Sequence, residues 1–223
     1  MLMLRRLLSN VAKPARTAGT APSSTRLNVG CGRQIRAGWV NLDSQALSGV
    51  DVVADLDACR RQPLPFADDS FEELYASHVL EHLNDPLACM QELHRVARHG
   101  ARLEVRVPHG ASDEADIDPT HVRRYFPRSF QYFSQARYRN FDYGYRGDWD
   151  TETIQLVVPD PRYAGLSDQE IWALTATQRN VATEMRVLLR AIKPARAWQA
   201  AAAGAPKVTF LRGALPGDDP GTS

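Results

Sequence analysis

From Arg26 onward, short apolar runs alternate with polar turns, and one long amphipathic stretch interrupts them. The runs 26–30, 39–43, 51–56, 71–77 and 101–107 have the length and composition of strands. Residues 86–98 read as a helix. Asp85 stands at the capping position, Pro86 opens the first turn, Leu87, Met90, Leu93 and Ala97 share a face, and Gly100 ends it. Further on, the pattern predicts a strand over 151–158, a short helix over 167–177 and a strand over 181–192. In the last, Val181, Thr183, Met185, Val187, Leu189 and Ala191 recur with period two. Short strands alternating with helices indicate a parallel α/β sheet. Two features fit that sheet poorly. Only about eight residues separate Gly30 from Trp39, fewer than the dozen or so that a helical crossover uses, so a shortened turn of helix or an extended loop is expected there. Residues 101–107 alternate strictly, whereas a central parallel strand is apolar on both faces; the segment that follows is expected to cover the polar face.

Gly30, Asp43, Asp55, Ser77-His78 and Pro108-His109 all fall where a strand ends. In open parallel sheets, ligands bind outside the carboxyl ends of the strands. The run Leu27-Asn-Val-Gly30-Cys-Gly32 closes a strand with two glycines, which lets a ligand approach bare backbone. Asp43, at the tip of the next strand, is placed to accept hydrogen bonds from both hydroxyls of a ribose. A nucleoside-containing cofactor follows from that pair.

Composition narrows the partners. The chain has 223 residues, with 43% hydrophobic, 24% charged and a formal net charge of +1, which gives no reason to expect a polyanionic partner. Seven basic residues precede the first acid, Asp43, so 1–25 reads as a basic N-terminal helix and linker, 26–193 as the folded domain, and 194–223 as a poorly ordered Ala/Gly/Pro-rich tail. Cys31, Cys59 and Cys89 form no CxxC pair, and a reducing, cytoplasmic location fits them. No apolar run approaches the ~20 residues of a membrane span.

Ten aromatics lie between Tyr125 and Trp149, interleaved with arginines. They predict a lid over about 109–150, or a pocket for a sugar or anionic substrate; a stacking platform for single-stranded nucleic acid is disfavoured by the acidic balance of the surrounding chain. His121 is the best candidate near an acceptor, as a proton acceptor or an orienting group. His109 is a weaker candidate of the same kind, and His94 and His99 read as surface residues. His78-Val-Leu-Glu81-His82 spells H-x-x-E-H, an inverted zinc-peptidase motif. That reading requires a third protein ligand and a long helix, and Asn84-Asp85-Pro86 cuts the segment, so no metal is assigned.

Leu27-Asn-Val-Gly-Cys-Gly32, Gly38-Trp-Val-Asn-Leu-Asp43, Asp51-Val-Val-Ala-Asp-Leu56, Leu64-Pro-Phe-Ala-Asp-Asp-Ser-Phe71 and Ser77-His-Val-Leu-Glu-His-Leu83 resemble, in order, the motifs of class I S-adenosylmethionine-dependent methyltransferases. Asp118-Pro-Thr-His-Val-Arg-Arg-Tyr-Phe126 and the stretch 184–194 resemble a small bacterial branch of predicted methyltransferases. The resemblance implies a Rossmann-like, mostly parallel sheet flanked by helices, with a lid insertion and a C-terminal antiparallel strand pair. It implies S-adenosyl-L-methionine as cofactor and a small-molecule or saccharide-type acceptor, with a non-catalytic binding module or an H-x-x-E-H zinc hydrolase as alternatives. It places Gly30, Cys31 and Gly32 beneath the methionine moiety, Asp43 on the ribose, Asp55 and Leu56 at the adenine, and Ser77, His78 and His82 along the pocket. Asn28 stands where the family usually carries an acid in the first strand.

Overall fold

The computed structural model describes residues 22–137, 143–198 and 206–213. Most of the proposed N-terminal helix and linker, and the lid residues 138–142, lie outside them. The strands are β1 (Arg26–Val29), β2 (Val40–Asp43), β3 (Val52–Val53), β4 (Phe71–Ser77), β5 (Ala97–Pro108), β6 (Trp149–Val158), β7 (Glu184–Ala191) and β8 (Lys207–Arg212), and the α-helices are α1 (Pro86–Val96), α2 (Glu114–Ile117) and α3 (Asp168–Thr175). All eight strands form one sheet in the order β3-β2-β1-β4-β5-β7-β6-β8. The first five are mutually parallel. β7 runs antiparallel to both β5 and β6, and β8 pairs parallel with β6. The direction of winding reverses between β1 and β4, which places a topological switch point at their carboxyl ends.

Local chemistry accounts for the elements. The Asp85 carboxylate accepts from the Ala88 N–H at 3.1 Å and Pro86 opens α1. Cys89, Met90, Leu93 and Val96 bury the inner face of that helix. It ends at Val96, earlier than the expected 98, because Ala97 is already extended and pairs with Phe71; Gly100, with φ +79°, sits in the irregular start of β5 instead of capping the helix. The β1–β2 connection is an extended loop with turns closed by Gln34 N–H to Cys31 O and Trp39 N–H to Arg36 O. In β7, Met185, Val187, Leu189 and Ala191 point inward, as their period predicted.

Two expectations about the periphery are corrected. The tail expected to be disordered contributes β8, since Val208, Thr209, Phe210 and Leu211 are good strand formers and β6 offers them a free edge. Among the described residues, the buried aromatics of the lid segment do not cover the polar face of β5. Phe130, Phe133, Tyr145 and Trp149 are buried in the core on the α1 side, where the Trp149 indole N–H donates to Met90 O at 3.0 Å. The polar face carries half-exposed ion pairs such as Arg106–Glu104, Arg186–Glu184 and Arg102–Glu152, each worth at most about 1 kcal/mol. His94, read from the sequence as a surface residue, is buried and donates to Ile192 O at 3.0 Å. Asp148 is fully buried and accepts from Gln135 N–H and from the backbone and guanidinium of Arg196, joining three segments at the start of β6. Among the described residues, no helix is long and apolar enough to cross a membrane.

Candidate active site

The carboxyl ends of β1, β2 and β4 carry a crevice built on glycine backbone. Gly30 has φ +61°, and a Cβ there would lie 2.5 Å from Val79 Cγ2. Gly32 has φ +51°, and nothing lies within 4 Å of its Cβ position. One glycine is therefore required by packing against the end of β4, the other by backbone conformation beside open space. The Gly32 N–H donates to Asp43 Oδ2 at 2.8 Å, and the Gln45 N–H donates to Asp43 Oδ1 at 2.9 Å. Oδ2 keeps a lone pair for a further donor, while Oδ1 also meets the Ser44 hydroxyl at a long 3.5 Å, a bond that an incoming hydroxyl can replace. Cys31 is buried, and burial followed by the nearby Asp43 charge pushes its thiol pKa up.

The remaining sequence-predicted residues of this region are brought to the same end of the sheet in different states. Asn28 is buried below the loop, and both of its amide hydrogens are used, one on Gln34 O at 2.8 Å and one on Asn41 Oδ1 at 2.9 Å. It holds the loop in shape through a neutral group. Asp55 is exposed and caps the short 3-10 turn Leu56–Ala58 by accepting from the Asp57 N–H, while the Leu56 side chain is buried in the core.

Beside the crevice lies a cleft of about 400 Å³, lined by His78, His82, Glu114, Asp118, His121 and Glu184, among others. His78 leaves the end of β4 with φ +54° and bridges two carboxylates, Glu81 at 3.2 Å and Glu184 of β7 at 3.3 Å. The loop after α2 forms the opposite wall. It is stapled down by Val122 N–H and Arg123 N–H on Glu81 O and by the Arg123 guanidinium on Leu83 O and Asn84 O. The His121 Nδ1–H donates to Ala115 O at 3.2 Å, and its ring meets that of His82 edge-on with centroids 4.7 Å apart. His121 is thus at the cleft, as its place beyond the fifth strand suggested. His109 is buried against Phe126 and is not part of the cleft lining.

Residues 27–105 match the family described as a methyltransferase domain. That match takes in about a third of the chain, from the start of β1 into β5. The fold agrees: a SAM-dependent methyltransferase from Archaeoglobus fulgidus superposes with a TM-score of 0.53 at 15% identity, covering 75% of this chain and 86% of that one. A S-adenosylmethionine-dependent methyltransferase from Mesorhizobium loti gives a TM-score of 0.46 at 16% identity, covering 78% and 91%. No curated protein sequence matches the chain.

The methyltransferase match implies S-adenosylmethionine as cofactor, and the crevice fits that group: the positive-φ glycines leave backbone uncovered and Asp43 retains acceptor capacity. The sequence did not point to Glu114, Thr183 and Glu184 in the cleft lining, nor to Glu81 and Thr120 as the partners of its histidines. Glu184 reaches His78 across 106 positions through β5–β7 pairing, and no local spacing carries such information. Glu81 was visible only as part of the H-x-x-E-H string.

Two histidines give the methyltransferase domain opposite pH responses. Hydrogen bonds donated by the ring to Glu184, then to Glu81, raise the His78 pKa from 6.5 to about 9. Its contribution to stability is complete below about 6.5 and is lost as pH rises through about 9. The ring is half exposed, so this is worth below about 1 kcal/mol. Burial lowers the His109 pKa from 6.5 to about 4. The unfolded chain therefore binds the proton first, and stability is expected to fall by up to about 3 kcal/mol as pH drops from about 6.5 to about 4. Urea unfolding across that window tests this: the acid slope should flatten in His109→Gln, and an unchanged slope would remove His109 as its source.

Proposed function

We propose that the domain methylates a small-molecule or saccharide-type acceptor seated in the His78/His82/His121 cleft. The observation that carries this is the position of the cleft. Its wall residue His78 directly follows Ser77 at the end of β4, and Val79 packs against the Gly30 turn of the crevice. A ligand in the cleft is thereby beside one in the crevice. A cavity of about 400 Å³ is in the range of small-ligand sites.

Bound S-adenosylmethionine supplies an electrophilic methyl group on a sulfonium. In this reading, Gly30, Cys31 and Gly32 pass their backbone under the methionine portion, with Asn28 fixing that loop. Asp43 accepts from the ribose hydroxyls. Asp55 and Leu56 meet the adenine, the first by hydrogen bonding and the second by packing. Ser77, His78 and His82 border the reacting region. His121, whose Nδ1–H is committed to Ala115 O, presents Nε2 to orient an acceptor hydroxyl or take its proton. Holding two reactants in line supplies much of the rate, with effective molarities worth on the order of 7–11 kcal/mol.

Calorimetry with S-adenosylhomocysteine, followed by transfer of labelled methyl from S-adenosylmethionine to sugars and small hydroxylated compounds, tests the reading. The folded chain is expected to bind the homocysteine product and to label an acceptor of that class. In His121→Asn, turnover should drop about 10²-fold with product affinity almost unchanged. Folded protein that binds no S-adenosylhomocysteine contradicts the proposal.

A further inference from the structure

We propose that Glu81, His82 and His121 form a binding site for one divalent transition cation at the edge of the acceptor cleft. The inference rests on the cleft being the acceptor site and says what would meet the acceptor there.

The three side chains each present a ligand-capable atom, and those atoms all lie within 4.8 Å of one another. Small side-chain rotations close that spacing onto a cation whose ligand bonds are about 2.0–2.2 Å. The hydrogen bonds around them leave lone pairs bare. The Thr120 hydroxyl gives its proton to Asp118 Oδ1 at 2.7 Å, so at 2.9 Å from His82 Nδ1 the hydroxyl oxygen can only accept. His82 is therefore protonated on Nδ1. His121 Nδ1 faces the carbonyl of Ala115, which also only accepts. With Nδ1 as the donor in each ring, Nε2 is the atom left to coordinate. An imidazole whose second nitrogen donates to a carbonyl, or through a hydroxyl to a carboxylate, is the usual arrangement behind a metal ligand.

Glu81 supplies the independent observation. It is 1% exposed, its Oε1 is held by His78, and its Oε2 is buried with no hydrogen-bond partner among the described residues. A buried carboxylate oxygen left bare is costly unless something positive meets it. Asp118 Oδ2, at 3.9 Å from His121 Nε2, stands by as a further oxygen. Two imidazoles and one carboxylate suit zinc, cobalt or ferrous ions better than magnesium or calcium.

This is not the H-x-x-E-H arrangement. His78 turns away to pair with Glu81 and Glu184, and the second imidazole comes from His121, 39 positions beyond His82. Three protein ligands would leave open positions on the ion, and two of the three ligands, His82 and His121, line the cleft, so an acceptor with an oxygen donor, such as a hydroxyl beside a second hydroxyl or a carboxylate, would be anchored there. With its Nε2 on the ion, His121 would act on the acceptor through the ion in place of the direct contact described above.

The test uses the untagged full chain, stripped with chelator and titrated with Co²⁺ followed by visible absorption, then with Zn²⁺ by calorimetry. One ion per chain is expected, with d–d bands that Zn²⁺ displaces. In His121→Ala the saturable signal should vanish. Thr120→Val, which removes only the support of His82, should weaken binding about 10–100-fold. It also covers the case in which His121→Ala does not fold. Absence of a saturable Co²⁺ signal, or equal affinity in both variants, overturns the site. S-adenosylhomocysteine titrated in parallel separates the two proposals: its binding without a metal site removes only the cation, whereas a metal site without its binding removes the methyl-transfer reading.

Discussion

Replacing Asp43 by alanine is expected to weaken S-adenosylhomocysteine binding by at least two orders of magnitude in calorimetry, with the protein still folded. In the proposed cofactor pose the carboxylate accepts from both ribose hydroxyls, and a hydrogen bond to a charged group contributes about 1.5–3 kcal/mol. Losing two costs roughly 3–6 kcal/mol by that scale, more than 10²-fold in affinity. The same carboxylate holds the Gly32 and Gln45 N–H groups at 2.8 and 2.9 Å, so its removal also loosens the turn under the methionine portion. Asp43→Asn keeps one acceptor oxygen and should fall between the wild type and Asp43→Ala. Affinity within threefold of wild type in Asp43→Ala would show that the ribose lies elsewhere.

The largest effect on stability is expected at Trp149. Its side chain is fully buried, its indole N–H donates to Met90 O, and its ring lies edge-on to His94 at 5.6 Å. Truncation of a buried aromatic of this size costs about 3–5 kcal/mol, and here it also removes the indole's hydrogen bond to Met90 O. Urea unfolding of Trp149→Ala should show a lower midpoint with an unchanged slope, since the surface exposed on unfolding hardly changes. Trp149→Phe retains most of the volume and should lose less than half as much. A loss below about 1 kcal/mol in Trp149→Ala would mean that the aromatic segment is not part of the core.

These residues also show what was legible in the sequence. The strand tips were, because Gly30, Asp43 and Ser77 each close an apolar run, and a glycine or acid after such a run marks where backbone stops pairing and meets solvent or ligand. The period-two pattern of β7 was visible for the same reason: its inner face is buried residue by residue. The destination of the aromatics was not. Composition shows that Phe130, Phe133, Tyr145 and Trp149 must be covered, but whether they lie over the cleft or against α1 depends on partners such as Met90, 59 positions from Trp149. β8 was hidden by the alanine- and glycine-rich chain around it, and its pairing with β6 is a nonlocal choice. The histidines were individually visible as reactive groups; their grouping was set by the staple of the 118–124 loop onto the Glu81 carbonyl.

The loop above β1 hangs from a carboxamide. Asn28 has no proton to gain or lose across the range in which proteins stay folded, so its two bonds to Gln34 and Asn41 persist where an aspartate in that position would begin to neutralise. The support of the glycine turn from below therefore has the same strength in acid as at neutrality, whatever happens to the charges on the crevice above it.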